Sequence, residues 1–211
     1  MNAITIKNLN KKFGEQVVLH NFSMSIKENT MVAIVGKSGR GKTTLLNIMG
    51  GLDMGDSGEV YLYGEDYSKP SRKQLDVLFR NKVSYLFQNS ALIHHKTVYD
   101  NLKIATRYAK YNDVDIEIRT ALEKVGLPDS ILDKNVFSIS GGEQQRVAFA
   151  RLLLKPSSII LADEPTGNLD YDNALIIFKL IETLKQEHKT IVVVTHDLRF
   201  LDFFDEVQSL E

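Results

Sequence analysis

The chain has 211 residues, 43% of them apolar and 25% charged, with a formal net charge of −1. This is an ordinary globular composition, long enough for one sizeable domain or a core with an inserted subdomain. The charge balance lacks the basic excess of a nucleic-acid binder, and the absence of cysteine excludes a disulfide framework, thiolate chemistry and a cysteine zinc site.

The opening MNAITIKNLNKKFGEQ has no apolar stretch after a basic start, so no signal peptide is expected. No run approaches the roughly 18 apolar residues that span a bilayer. A soluble chain in a reducing compartment is expected, held at any membrane by another protein. Short apolar runs bounded by turn residues predict strands over Ile4–Asn8, Val17–Leu19, Ser23–Ile26 and Met31–Val35. Directly after the last of these, GKSGRGKT at 36–43 fits G-x-x-x-x-G-K-[ST] without mismatch, and Thr44–Met49 begins a helix. The candidate phosphate-binding set is therefore Gly36, Lys37, Ser38, Gly39, Arg40, Gly41, Lys42, Thr43 and Thr44. Bare glycines let backbone N–H groups converge on phosphate oxygens, and the helix N-terminus favours the anion. Lys42 would reach the β- and γ-phosphates, and the Thr43 hydroxyl would bind Mg²⁺.

Further strands are predicted over Val60–Tyr63 and Val83–Phe87. Ser71 with Gln74, Thr97 with Asp100 and Ser140 with Glu143 have capping-box spacing. Asp113 caps a helix over Val114–Val125, which Gly126 and Pro128 end. Adjacent His94 and His95 have diverging side chains and no carboxylate at ligand spacing, so they are read as a solvated loop. ISGGEQQR at 139–146 then places a hydroxyl and two bare glycines at a helix start, a second anion-binding pattern in one chain. The strand Ser158–Ala162 runs into Asp163 and Glu164. Two acids at the end of a buried strand are costly unless they face a cation or a site. Asp163 would hold Mg²⁺, and Glu164 would polarise an attacking water. A helix over Tyr171–Glu187 and strands over Thr190–Thr195 and Val207–Leu210 complete the chain. The pattern is β-rich up to residue 88, purely helical from 89 to 139, and alternating from 140 to 211. It predicts a single α/β domain: a P-loop NTPase core with a mostly parallel sheet (1–88 and 140–211), an antiparallel β subdomain and an inserted helical subdomain (89–139).

In this order the motifs resemble the nucleotide-binding subunits of ABC transporters, over the whole chain. Phe13 stands where that family stacks an aromatic on adenine, Gln88 matches its Q-loop glutamine, and Ser140, Gly141, Gly142, Glu143 and Gln144 match its signature motif. Asp163-Glu164-Pro165-Thr166 matches the Walker B stretch, Asn168-Leu169-Asp170 the D-loop, and His196 the switch histidine. The resemblance implies ATP hydrolysis with Mg²⁺ held by Thr43, Gln88 and Asp163. Glu164, His196, Gln88 and Lys42 would be catalytic. It implies a head-to-tail homodimer, in which Ser140 and Gly142 touch the γ-phosphate on the partner's P-loop. It also implies a membrane permease docked near Gln88, on 89–96 and the helix from Thr97, at the cytoplasmic face of the membrane. Ile139 stands where Leu is usual, and Arg40 where a small residue is common. The subgroup most similar serves macrolide efflux, lipoprotein release and bacteriocin or peptide export with a separately encoded permease. A cell-division-like regulator that moves a membrane complex without transport is the alternative. Only about a hundred residues separate P-loop from signature, and the motif set occurs once, unlike ATPases of that superfamily acting on DNA or ribosomes. A further C-terminal domain is not expected.

Overall fold

The computed structural model describes residues 1–37, 39–167 and 169–210. Two long strands, β1 (Asn2–Phe13) and β2 (Gln16–Lys27), form an antiparallel hairpin. Val17–Leu19 and Ser23–Ile26 are thus one strand, not two. The polar break between them is a bulge: Asn21 has φ 48°, and its N–H donates to the Asn10 side chain at 2.8 Å. With that N–H satisfied, pairing continues past the interruption. β3 (Met31–Val35) leads through the glycine-rich loop into α1 (Lys42–Met49). β4 (Ser57–Leu62) pairs with β1, and after a turn with Tyr63 at φ 50° comes the two-residue β5 (Glu65–Asp66), too short to leave a sequence signal.

α2 (Arg72–Val77) starts in a complete Ser71–Gln74 capping box and runs through a wider turn, Leu78–Lys82, into β6 (Val83–Leu86). α3 (Val98–Thr106) and α4 (Val114–Lys124) follow. At Thr97 the side chain accepts from Asp100 N–H at 3.0 Å, but no return bond forms, because Asp is one methylene shorter than Glu. α5 (Gly141–Leu153), β7 (Ile159–Asp163), α6 (Tyr171–Gln186), β8 (Thr190–Val194) and β9 (Glu206–Ser209) alternate to the end.

The strands make two sheets: an antiparallel one in the order β2-β1-β4-β5, and a parallel one in the order β6-β7-β8-β3-β9. The parallel strands are covered on both faces. Ile160, Ala162, Ile191 and Val193 point into a core shared with α3, α4, α5 and α6. Ile159, Leu161, Val192 and Val194 point into a second core with α1 and the antiparallel sheet. This two-sided burial is why these strands read as unbroken apolar runs. Loops then leave β3, β7 and β8 at one end of the sheet.

An aromatic cluster closes the first core. Phe178 stacks on Phe200 at 4.4 Å between centroids, with Phe203 and Phe204 at 5.6 and 5.9 Å. Phe178 and Phe200 are almost fully buried. Phe178→Ala is expected to lower the unfolding free energy by about 3–5 kcal/mol, because the cavity opens among rings that cannot collapse into it. Urea denaturation measures this; a loss below about 1 kcal/mol would show that the cluster repacks.

Candidate functional site

The carboxyl ends of β3, β7 and β8 meet in a cleft of about 410 Å³ lined by Phe13, Lys42, Thr43, Gln88, Glu164 and His196, with Gly39, Gly41, Thr44 and Val18. This is where parallel α/β sheets take ligands. The glycine-rich loop is shaped by its neighbours. Gly41 caps α1 in the left-handed region, φ 86°, and a Cβ there would lie 2.4 Å from a Val18 methyl. At Gly36 a Cβ would strike the Leu210 carbonyl at 2.4 Å. A side chain at Gly36 would have to move backbone, and one at Gly41 would have to displace the Val18 side chain and hold a left-handed φ. Lys42 is buried, and its ammonium donates to the carbonyls of Gly36 at 2.8 Å and Lys37 at 3.0 Å, so it closes the loop on itself. Lys37 and Arg40 are exposed. Ser38, part of the predicted set, lies outside the described residues, as does Asn168.

Thr43 Oγ1 donates to Asp163 Oδ1 at 3.0 Å, tying the start of α1 to the end of β7. Burial holds the Asp163 carboxyl above the usual aspartate range, and the Glu164 charge adds to this. The Thr43 hydrogen bond and the Lys42 charge oppose it. The next residue, Glu164, has φ 46°, a left-handed conformation costing of order 1–3 kcal/mol for a residue other than glycine. Its N–H donates to Val194 O at 2.9 Å, so β8 fixes the turn. Its Oε2 accepts a hydrogen bond from the His196 backbone N–H at 3.3 Å and lies 2.8 Å from His196 Nδ1. Strain therefore aims the carboxylate along the sheet end toward the histidine instead of outward. Phe13 is 52% exposed on the cleft wall, with Lys11 Nζ at 5.0 Å from its ring.

The second glycine-rich start is elsewhere. Ser140, Gly141 and Gly142 do not line the cleft of Lys42 and Glu164; Gly141 and Gln144 instead border a separate hollow with Gln88, Gln145 and Pro165. Ser140 makes a full capping box with Glu143, with its N–H donating to Glu143 Oε2 at 2.8 Å. Gln144 Nε2 donates to the Val136 and Ile139 carbonyls at 3.2 and 3.1 Å. Asp170 caps α6 by accepting from Asn173 N–H at 2.8 Å. His94 and His95 are exposed, and no group of three or more His, Asp or Glu at metal-ligand distance occurs among the described residues.

Two contributors carry no sequence signal. Val18 packs against Gly41 from a strand far back in the chain. Gln145, 4% exposed, donates to Pro165 O at 2.8 Å and weakly to Phe87 O at 3.4 Å, joining α5 to the segments after β7 and β6. A polar residue one turn past the helix start is ordinary in sequence; its burial is what marks it.

A strand–loop–helix phosphate cradle facing an acid pair at the end of a parallel strand defines a P-loop nucleotide triphosphatase. The family model described as ABC transporter matches residues 19–167, more than half of the chain. The chain is 38% identical over 217 residues to the lipoprotein-releasing system ATP-binding protein LolD of Francisella tularensis subsp. tularensis, covering 99% of this chain and 93% of the relative. It is 36% identical over 212 residues to the macrolide export ATP-binding/permease protein MacB of Bartonella henselae, covering 97% of this chain but spanning only 32% of that relative's length. A dimeric structure of a bacterial ABC transporter cassette superposes with a TM-score of 0.88 at 34% identity, covering 98% of this chain and 94% of the other. A dimeric post-hydrolysis state of an ATP-binding cassette, bound to ADP and Pi, superposes at 0.89 with 34% identity, covering 99% and 94%. The chain belongs to the ABC transporter family, as an ATP-binding cassette with ATPase activity. No helix among the described residues is long and apolar enough to cross a membrane.

The raised Asp163 fixes a pH dependence. Below the ordinary aspartate value near 3.8, folded and unfolded chains both hold the proton. As pH rises the unfolded chain loses it first, so the folded state loses stability from that value up through the raised folded value and keeps the deficit above it. Asp163→Asn is therefore expected to raise the melting temperature of the nucleotide-free protein at about pH 7, with the gain shrinking toward zero near pH 4. Thermal unfolding across that range measures it; a lower melting temperature for the Asn variant at pH 7 would mean that the hydrogen bond from Thr43 outweighs burial.

Proposed function

We propose that this chain is the ATP-driven subunit of a bacterial complex that moves a peptide, bacteriocin or drug through a separately encoded membrane permease. In this reading it sits at the cytoplasmic face of the membrane and acts as a head-to-tail homodimer. The observation that carries the dimer is the separation of the two glycine-rich helix starts. Lys42 and Glu164 share one cleft, whereas Ser140–Gly142 do not line it. A Cβ at Gly142 would meet the Asn173 side chain at 2.9 Å, but one at Gly141 would meet nothing within 4 Å, so the bare backbone at Gly141 is not demanded by this chain's own packing. It suits the close approach of a phosphate held by another copy.

ATP would lie with its adenine on Phe13 and its phosphates on the backbone of Gly36–Thr44, with Lys42 leaving the loop carbonyls for the β- and γ-phosphates. Thr43 and Asp163 are hard oxygen donors, and a carboxylate disfavoured by burial gains most from a cation, so with Gln88 they fit Mg²⁺. Bound there, the ion would neutralise phosphate charge and order the oxygens. Glu164 accepts a hydrogen bond from water and directs it at the γ-phosphorus; His196 holds the γ-phosphate; the water proton leaves with the phosphate product, giving ADP and Pi. Ser140 and Gly142 of the second copy complete the cradle, and Asp170 lies beside that contact. Loss of the γ-phosphate removes the bridge, so the dimer opens and the permease changes state.

Glu164→Gln keeps the size and hydrogen-bonding reach of the side chain but removes its charge. It is expected to bind ATP, to elute as a dimer in ATP where the wild type is largely monomeric, and to hydrolyse at least about 10²-fold more slowly. Size-exclusion chromatography and phosphate release read both properties; a fully active variant would remove Glu164 as the water-polarising group.

A further inference from the structure

Phe13 ends β1 at the tip of the hairpin, one residue before Gly14 turns at φ 59°. It is half exposed and belongs to neither apolar core. A ring so placed has little packing to fix its angle. A cation stands over it instead. Lys11 lies two residues back on the same face of β1, because the extra residue of the local bulge, Val18, falls on β2 and leaves the alternation of β1 intact. Its Nζ is 5.0 Å from the centroid of the Phe13 ring. Phe13 lines the nucleotide cleft and Lys11 does not, so the ammonium meets the ring from outside the cleft.

Lys11 is itself buried, and a lysine kept from water must find acceptors for its ammonium. It donates to Asp53 Oδ1 and to the Met54 carbonyl, each at 2.8 Å. Both acceptors belong to the segment just past α1. That segment is fixed in turn: Leu52 N–H donates to the Asn47 carbonyl at 2.9 Å, and Asp53 Oδ1 also accepts from Met54 N–H at 2.7 Å. The ammonium is thus held relative to α1, the helix that begins at the phosphate cradle. We propose that Lys11 is a positioning residue for the nucleobase: it holds the Phe13 ring at a set angle and distance from the cradle. By drawing π-electron density toward the outer face, it also makes the inner face a better stacking surface for a purine. This rests on the reading that adenine lies on Phe13. Lys11 touches neither the phosphates nor the attacking water in that arrangement, so it acts on binding and not on the chemical step.

The test compares binding of ATP with binding of inorganic tripolyphosphate, which has the phosphates without the base, each with Mg²⁺ and by calorimetry; ATP hydrolysis is measured on the same proteins. Lys11→Met keeps the apolar stem and removes the cation. It is expected to weaken ATP binding about fivefold while tripolyphosphate binding and kcat at saturating ATP stay within about twofold of the wild type. Lys11→Arg keeps a cation for the ring and should bind ATP nearly as the wild type does. In a Phe13→Ala background, Lys11→Met should cause no further loss, because the two side chains act as one unit. Tripolyphosphate weakened as much as ATP would show that Lys11 serves only to hold the loop after α1. That result, an unchanged ATP affinity, or a loss that persists in Phe13→Ala would each overturn the inference. Where Lys11→Met does not fold, Asp53→Asn takes its place: it removes the charge that anchors the ammonium and should weaken ATP at least about twofold with tripolyphosphate unmoved, and no loss would overturn the inference. A Phe13→Ala variant that binds ATP as tightly as the wild type defeats the stacking reading beneath, whereas a loss in Phe13→Ala without one in Lys11→Met defeats the Lys11 inference alone.

Discussion

The central strands of the parallel sheet are sealed on both faces. Met31–Ile34, Ile159–Ala162 and Ile191–Val194 are each at most 1% exposed. Side chains along their length have no route to a solute, so chemistry is displaced to the strand ends. Because β7, β8 and β3 are neighbours and parallel, their carboxyl ends emerge side by side. The phosphate cradle, the acid pair and the histidine are brought together by that register. The Thr43–Asp163 hydrogen bond and the Glu164 N–H bond to Val194 then lock the loops across adjacent strands. Removal of any of these strands would dismantle the site without touching a functional side chain.

Within that frame, several polar groups are held at an energetic disadvantage. Burial disfavours the ionised form of Asp163, Glu164 adopts a left-handed backbone, and Lys42 is buried with its charge on carbonyls. A polyanion with its counter-cation would offset the burial of Lys42 and of Asp163. The nucleotide-free site is thus a preorganised set of unmet demands, the arrangement that favours electrostatic stabilisation of a transferring phosphoryl group.

Much of this was legible in the residues. The strand–loop–helix context of Gly36–Thr43, the acid pair after an apolar run, and the caps at Ser71, Asp113 and Ser140 are local patterns with local causes, and they lie where they were expected. Elements whose cause is distant were not legible. The β2 bulge depends on the Asn10 side chain across the hairpin, and β5 is a strand only because β4 lies beside it. Gln145 looks like any polar helix residue until the Pro165 carbonyl is found against it.

The sequence by itself determined the chemistry: which loop can cradle phosphate, which carboxylates can hold a cation or polarise water, and which helix starts present bare backbone. Those properties follow from side-chain type and hydrogen-bond spacing over a few residues. Only the tertiary structure decided the company each group keeps. It placed Glu164 against His196 but set Ser140–Gly142 outside that cleft. Such groupings depend on strand order and on contacts between residues far apart in the chain, which no local spacing encodes.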